Sequence, residues 1–132
     1  MIHIAITAKD RNSLKVHMVS PTVQQIAQQN DQFRRGDPNV PGIRVITAGL
    51  DHLLKQLAIP PEQLAQLVAQ FEDFTEHIDP HGEHDFGAFE FHGHKLFWKL
   101  DLYNNDYSMG SDDPAELTKT RRVLTIMLAD EY

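Results

Sequence analysis

The chain has 132 residues, which is the length of one compact domain at roughly 100 to 200 residues per domain. Apolar residues make up 41% and charged residues 23% of the sequence, and this mixture excludes an intrinsically disordered chain. The absence of cysteine excludes disulfides, thiolate nucleophiles and cysteine-based metal sites. Because no apolar run is long enough to span a membrane and no secretory signal is present, we expect a soluble, cytoplasmic single domain over residues 1–132.

The negative charge is concentrated in the second part of the chain. The formal net charge is −7, and residues 56–132 hold fifteen acidic and only five basic side chains. No Lys or Arg occurs in the 39 residues between Lys55 and Lys95, which contain eight carboxylates and five of the eight histidines. Direct nucleic-acid binding is disfavoured, because phosphate contacts require a basic surface. An acidic surface suits a divalent cation or a basic protein partner, although such a charge run is also compatible with a solvated face that has no partner.

The first third of the chain predicts a strand, a helix and a second strand. Alternating apolar residues near the start indicate an N-terminal strand or hairpin extension within residues 1–19. Ser20 and Pro21 form a typical helix start, and the helix should end near Gly36. Two prolines and a glycine predict a loop over residues 37–42, which a short strand over residues 43–47 should follow.

Two further helices are predicted before the loop of residues 75–85, which we call the acidic loop. The first is marked by leucines at helical spacing, Leu50, Leu53, Leu54 and Leu57. Pro60 should end it and Pro61 should start the next one, whose apolar stripe extends through about four turns to Phe74. Residues 75–85 lack periodicity and predict an irregular loop.

A β-hairpin is predicted over about residues 85–103. Gly93 suits the second central position of a two-residue turn with His92, because both positions of this turn type need positive φ. Residues whose numbers add up to 185 then face each other, namely Glu90 with Lys95, Phe89 with Leu96, Ala88 with Phe97, Gly87 with Trp98, Phe86 with Lys99, and His84 with Asp101.

The same register assigns the two faces of the hairpin. The core face should carry Leu96, Trp98, Leu100 and Leu102, and the other face should carry His84, Phe86, Glu90, Lys99, Asp101 and Tyr103. Phe86, Phe97 and Tyr103 would form either an interaction patch or a surface under a covering helix, and covering is the preferred interpretation.

The last part of the chain predicts a polar connection and a final helix. Asp113 and Pro114 resemble a helix start, and apolar residues from Leu117 to Leu128 fit helical spacing. The predicted fold class is therefore α+β, with a small antiparallel or mixed sheet covered by about four helices.

The loop before the hairpin holds the residues best suited to chemistry. Imidazole nitrogens and carboxylate oxygens are ligands for divalent metals, so one hypothesis is a metal site. Its ligands would be His81, Glu83, His84 and Asp85. A second hypothesis is acid/base catalysis by His84 held by Asp101. A third is macromolecular binding by Asp79, Glu83, Asp85, Glu90 and Arg121. A hydrogen-bonded loop that only stabilises the fold is the plain alternative.

Several segments are similar to a known family. They are Asn30-Asp31-Gln32-Phe33-Arg34, residues 79–90, Phe97-Trp98-Lys99-Leu100-Asp101, residues 110–114 and residues 120–129. They resemble the family called domain of unknown function 3768, over a family-like core of residues 26–132. The resemblance implies a small bacterial protein of the kind often encoded on plasmids and other mobile elements, and it implies no particular activity. The first 25 residues and the segment from Gly42 to Val45 depart from the family's pattern.

Two functions follow as expectations. The first is an acidic accessory protein of a mobile element that binds a protein partner with a basic surface, such as a host defence nuclease that it inhibits. The alternative is a small enzyme, either metal-dependent or based on the His84 and Asp101 pair. No cofactor is indicated beyond that divalent metal.

Overall fold

The computed structural model describes residues 20–132 and contains one four-stranded sheet with the strand order β1-β4-β3-β2. The strands are β1 (Gly42–Ile46), β2 (Phe86–Phe91), β3 (His94–Tyr103) and β4 (Arg121–Leu128). The α-helices are α1 (Pro21–Arg34), α2 (Ala48–Leu57) and α3 (Pro61–Ala69), and 3₁₀ turns cover Leu117–Lys119 and Ala129–Glu131. The predicted α+β class is confirmed, with three α-helices in these residues where about four were expected. None of these helices is long and apolar enough to cross a lipid bilayer.

The first helix begins where its capping residues predict. The Ser20 hydroxyl accepts a hydrogen bond from the backbone N–H of Val23 at 3.1 Å, and Pro21 occupies the first turn. The buried face of α1 includes Ile26 and Phe33. The strand or hairpin predicted within residues 1–19 lies outside the described residues.

The third helix is shorter than its apolar periodicity predicted. It ends at Ala69, so Phe71 and Phe74 belong to an irregular segment. Both rings pack edge-on against the indole of Trp98, at centroid distances of 5.5 and 6.0 Å. The apolar residues therefore reach the core from a loop, because contacts with the sheet replace the helical ladder.

The hairpin has the predicted register. His92 and Gly93 both have positive φ, at 50° and 79°, and the six pairs from Phe86↔Lys99 to Phe91↔His94 are all formed. Leu96 and Trp98 are fully buried on the core face, as expected.

The predicted C-terminal helix is wrong. Residues 121–128 form β4, which lies between β1 and β3, parallel to the former and antiparallel to the latter. Asp113 and Pro114 lie in a turn region, and only the short 3₁₀ turn at Leu117–Lys119 follows them. A short run of apolar residues suits a buried strand as well as a buried helix, and periodicity alone does not distinguish the two.

The two faces of the sheet have different surroundings. One face packs against the helices and forms a single core, which includes Leu54, Leu64 and Trp98. On the other face, the rings of Phe86 and Phe97 contact the C-terminal Tyr132, at centroid distances of 5.7 and 5.6 Å. Within residues 20–132 the expected covering helix is thus replaced by one terminal side chain, and Ile43 stays 47% exposed on this face.

Candidate functional site

A buried arginine organises the region where α1, the end of α3 and the acidic loop meet. The Arg34 side chain is fully buried, and its Nη1 donates hydrogen bonds to the carbonyl oxygens of Val68, at 2.5 Å, and Phe71, at 3.1 Å. Its Nη2 donates to Asp31 Oδ1 at 2.7 Å. Burial lowers the pKa of Arg34, and the hydrogen bond to Asp31 opposes that shift. Arg34 therefore holds the irregular segment after α3 against α1.

His84 continues this polar arrangement toward the surface. Its Nδ1 lies 3.0 Å from both carboxylate oxygens of Asp31, so a protonated Nδ1 donates to that carboxylate. Its backbone N–H faces the carboxylate of Asp79 at 3.2 and 3.3 Å, and its Nε2 lies 3.9 Å from Asp79 Oδ2. We call Asp31, Arg34, Asp79 and His84 the Arg34–His84 cluster.

Aromatic rings pack against the side chains of Arg34 and His84 in this cluster. The imidazole of His84 stacks on Phe74 with centroids 3.9 Å apart and planes 2° apart. The Arg34 guanidinium lies 4.9 Å from the Trp98 ring centroid and 5.2 Å from that of Phe74, within cation–π range. The backbone of His84 has φ 56°, which is uncommon for a residue with a side chain. Together these contacts hold the imidazole in one orientation, with 32% of its side chain exposed.

A second buried arginine ties the acidic loop to the sheet. Arg122 is completely buried, and its guanidinium donates to Asn30 Oδ1 at 2.6 Å and to Gln29 Oε1 at 3.2 Å. Asn30 in turn donates to the backbone carbonyl of Glu83 at 2.9 Å. Burial lowers the pKa of Arg122 to about 10. The loop that carries Glu83 and His84 is therefore anchored from inside the domain.

The predicted catalytic pair of His84 and Asp101 is not formed. The ladder of β2 begins at Phe86, and the carbonyl of Asp85 accepts the last cross-strand bond from Leu100 at 2.8 Å. The positive φ of His84 turns the chain away from β3, and Asp101 instead forms an ion pair with Lys99 at 3.1 Å. The carboxylates nearest to the His84 imidazole belong to Asp31, on α1, and Asp79, in the same loop.

The loop carboxylates are only partly brought together. Glu83 and Asp85 are half-buried close to one another and to Asp79, whereas Asp79 itself is 8% exposed and bound to the backbone of His84. Burial raises the pKa of Glu83, and the neighbouring Asp85 raises it further. Burial also raises the pKa of Asp85, with a further contribution from Asp79. The ionised forms of these two carboxylates are therefore less favourable here than in water.

Glu90 and Arg121 lie apart from this group. Glu90 faces Lys95 beside the hairpin turn, about 16 Å along the strand from Asp85 at roughly 3.3 Å per residue. The Arg121 guanidinium donates to the carbonyls of Leu117 and Thr120, at 3.2 and 3.0 Å. Arg121 therefore caps its own local turn instead of neutralising the acidic loop.

The metal hypothesis has little geometric support. Within residues 20–132 no three His, Asp or Glu side chains are grouped so that they could share one metal ion. His84 directs its Nδ1 at Asp31, and His81 is exposed on the loop. The ligand set His81, Glu83, His84 and Asp85 stays a prediction from the sequence.

The raised pKa of Asp85 predicts a pH-dependent stability difference. Its pKa lies above the ordinary value of 3.8, so its contribution to folding is present below that value and is lost as the pH rises through the folded-state pKa. Asp85→Asn, which cannot ionise, should therefore be stabilised relative to the wild type more strongly at about pH 7 than at about pH 3. Urea unfolding at both pH values measures this difference, and exposed Asp112→Asn is the matched control. An equal effect of Asp85→Asn at both pH values would contradict the assignment.

Comparison with known proteins identifies a family. The family model described as "Protein of unknown function (DUF3768)" matches residues 46–131, which is more than half of the chain. The chain belongs to the DUF3768 family. No curated protein and no solved structure matches it. The DUF3768 match covers β2, β3, β4 and the whole acidic loop, whereas α1, which supplies Asp31 and Arg34, precedes it.

Sequence reasoning missed Asp31 and Arg34 as site residues. They lie 53 and 50 positions before His84, and no local pattern links residues so far apart. The available signal was their spacing, because i and i+3 lie on one helical face and here adjoin the buried stripe of α1. Arg122 was likewise assigned to a helix, and its burial on the core face of β4 was not foreseen.

Proposed function

We propose that this protein is a binding module that uses its acidic surface to bind a macromolecular partner with a basic surface. The acidic surface is defined here by Glu72, Asp73, Glu76, Glu83 and Asp85. The observation on which the proposal mainly rests is that none of these carboxylates forms a close ion pair within the described residues. Among residues 20–132, no ion pair within 4.0 Å joins any of them to a Lys, Arg or His.

The electrostatics of the loop support this function. A carboxylate that is half-buried beside other carboxylates costs folding free energy when it is ionised, as the raised pKa values of Glu83 and Asp85 indicate. A basic partner would remove this repulsion on binding and would also accelerate encounter at low salt.

The rigidity of the loop supports the same function. Asn30 holds the Glu83 carbonyl, and the Asp79 carboxylate accepts the His84 N–H, so the loop is fixed from two sides. A surface that is already ordered loses less conformational entropy on binding than a mobile one.

A narrower form of the proposal is that the protein serves a mobile genetic element. The family resemblance suggests an accessory protein of a mobile element, and such an element would benefit from a protein that occupies the nucleic-acid-binding surface of a host defence nuclease. That surface is basic in any nuclease, because it must hold phosphates. The partner in this form is a protein, and direct nucleic-acid binding by this chain is disfavoured by its net charge of −7.

The test is recovery of a basic protein at low salt, followed by affinity measurement with the purified partner. Neutralising Asp73→Asn together with Glu76→Gln is expected to weaken binding at least about tenfold, since interface charges contribute both attraction and on-rate. The affinity of the wild type should fall steeply with salt.

The matched control has the same change in net charge at a different place. Asp112→Asn with Asp130→Asn also removes two exposed carboxylates, and binding should change less than about twofold. Equal losses for both pairs would show that only net charge matters. Failure to recover any basic partner would remove the proposal.

Acid/base chemistry at His84 is the second candidate. It is favoured by one observation, the hydrogen bond from Nδ1 to Asp31 in a ring that is partly exposed, because a carboxylate that orients an imidazole is a common feature of general bases. Asp31 here takes the role that the sequence assigned to Asp101.

Two measurements test this second function. Against a panel of chromogenic esters and phosphoesters, His84→Gln should abolish any hydrolysis, whereas exposed His77→Gln should leave it unchanged. For the metal-dependent form, manganese, zinc or nickel at about 100 times the Kd should stabilise the wild type by about 2.7 kcal/mol. Unchanged melting and no turnover would remove this candidate.

A further inference from the structure

An apolar groove lies beneath the edge strand of the sheet, and none of its lining residues belongs to the acidic surface. Its volume is about 240 Å³, and it is lined by side chains of β1, β4 and α3, including Ile46, Ala65, Leu124 and Ile126. Arg44 and Pro61 border the same groove. The groove therefore combines an apolar floor with one cationic side chain.

The strand above the groove has an unpaired edge in the described part of the chain. β1 is the first strand in the order β1-β4-β3-β2 and pairs there with β4 alone. Thr47 N–H donates to the Ile126 carbonyl, and Arg122 N–H donates to the Pro41 carbonyl. In a parallel strand, every second residue forms its backbone hydrogen bonds with the same neighbouring strand. The remaining residues of β1 therefore direct their N–H and C=O groups away from β4.

Those outward backbone groups belong to the residues whose side chains border the groove. Pro41 and Thr47 are odd-numbered and bond to β4, whereas Arg44 and Ile46 are even-numbered. The N–H and C=O groups of Arg44 and Ile46 therefore lie on the free edge. An added strand would therefore place a side chain opposite Arg44 and another opposite Ile46, two residues apart and both on the groove side.

Arg44 favours a negatively charged residue in any segment that binds at this groove. Its guanidinium lies 4.3 Å from the Phe33 ring centroid and donates to the Phe33 carbonyl, which holds it at the rim. Within residues 20–132, no carboxylate lies within 4.0 Å of it. A cation fixed by its stacking partner beside an apolar floor is complementary to an acidic residue next to an apolar one.

We infer that this edge binds an extended segment of a partner protein by strand addition to β1. The segment carries an apolar side chain that enters the groove opposite Ile46 and an Asp or Glu two residues away that pairs with Arg44. Main-chain hydrogen bonds provide affinity in this mode of recognition, and the alternate side chains provide sequence preference. The inference does not depend on the acidic surface, which selects the opposite charge.

The test uses the full-length chain and a random heptapeptide library. Selected peptides should share an apolar residue two positions from Asp or Glu, and a synthetic selected peptide should shift the amide resonances of Arg44 and Ile46 most strongly. Ala65→Leu, which fills the groove, should weaken this peptide at least tenfold, and Arg44→Gln should weaken it and abolish its preference for an acidic residue. Gln66→Leu, an exposed neighbour on α3, is the matched control and should have no effect.

Four results would overturn the inference. The first is selection of no peptide, and the second is equal binding of the selected peptide to Ala65→Leu after its melting curve shows that this variant is folded. The third is self-association of the free protein that shifts the same amides with concentration, since the occupant would then be a second copy. The fourth is a set of nuclear Overhauser contacts between residues 1–19 and Ile46 or Ala65 in the free chain, since the occupant would then be the chain's own first segment.

Discussion

Arg34→Met is expected to destabilise the domain by about 3 to 5 kcal/mol, the cost of breaking a buried ion pair by removing one partner. Methionine keeps much of the apolar contact with Trp98 and Phe74, but it donates nothing to the carbonyls of Val68 and Phe71. Each buried carbonyl left without a hydrogen-bond partner destabilises the folded state by the full free energy of its desolvation. Urea unfolding monitored by Trp98 fluorescence measures the change.

The neighbouring Arg35 provides the control for this prediction. It is exposed, it follows α1 directly and it carries the same charge. Arg35→Met should change the free energy of unfolding by less than about 0.5 kcal/mol. If the two variants were equally stable, the Arg34–His84 cluster would be a surface feature, and the acidic loop would lose its proposed anchor.

Gly87→Ala is expected to destabilise the domain by about 3 kcal/mol, at the upper end of the usual cost of overpacking a core. A Cβ atom at position 87 would lie 2.2 Å from the Nε1 atom of Trp98 and 2.9 Å from the ring of Phe71. The indole cannot move away freely, because Trp98 is fully buried and lies between Phe71, Phe74 and Arg34. Thermal melting should show the loss, together with a changed fluorescence maximum of the single tryptophan.

Gly110→Ala is the matched control for this substitution. The closest atom to a Cβ at position 110 is the Leu102 carbonyl oxygen at 4.0 Å, which is an ordinary contact. This variant should melt within a few degrees of the wild type, since surface substitutions usually change stability by less than about 0.5 kcal/mol. Equal stability of Gly87→Ala and Gly110→Ala would contradict the close packing of β2 against the indole.

The two substitutions test different parts of the proposed function. Arg34→Met releases the segment that carries Glu72 and Asp73 from α1, so it should weaken binding of a basic partner even when the domain stays folded. Gly87→Ala perturbs the core beneath β2 and should affect binding only through the folded fraction. Comparing affinity with folded fraction for both variants separates positioning of the acidic surface from global stability.

The hairpin illustrates what local sequence can specify. The pair His92 and Gly93 supplies two residues with positive φ, and that turn alone sets the pairing of six residues on each strand. The face assignment of Leu96 and Trp98 then follows from the period of two. Turn chemistry and alternation are local properties, so both predictions from them were confirmed.

Segment 121–128 illustrates where local sequence fails. Its apolar residues fit a helix and a buried strand almost equally well, because periodicity alone does not distinguish the two structures in a short apolar run. The choice depends on two neighbours, β1 and β3, which are distant in sequence. The early end of α3 at Ala69 has a similar cause, since Arg34 takes the carbonyls of Val68 and Phe71 and the following rings pack on Trp98.

By itself the sequence determined the α+β class, the hairpin register, the capping of α1 and the concentration of carboxylates between Lys55 and Lys95. Only the tertiary structure decided that His84 pairs with Asp31 and not with Asp101, and that Arg34 and Arg122 are buried beneath the acidic loop. The physical reason is that turns, caps and net charge depend on adjacent residues. The partners of a buried charge are chosen by whichever distant donors and acceptors the packed core brings within hydrogen-bond distance.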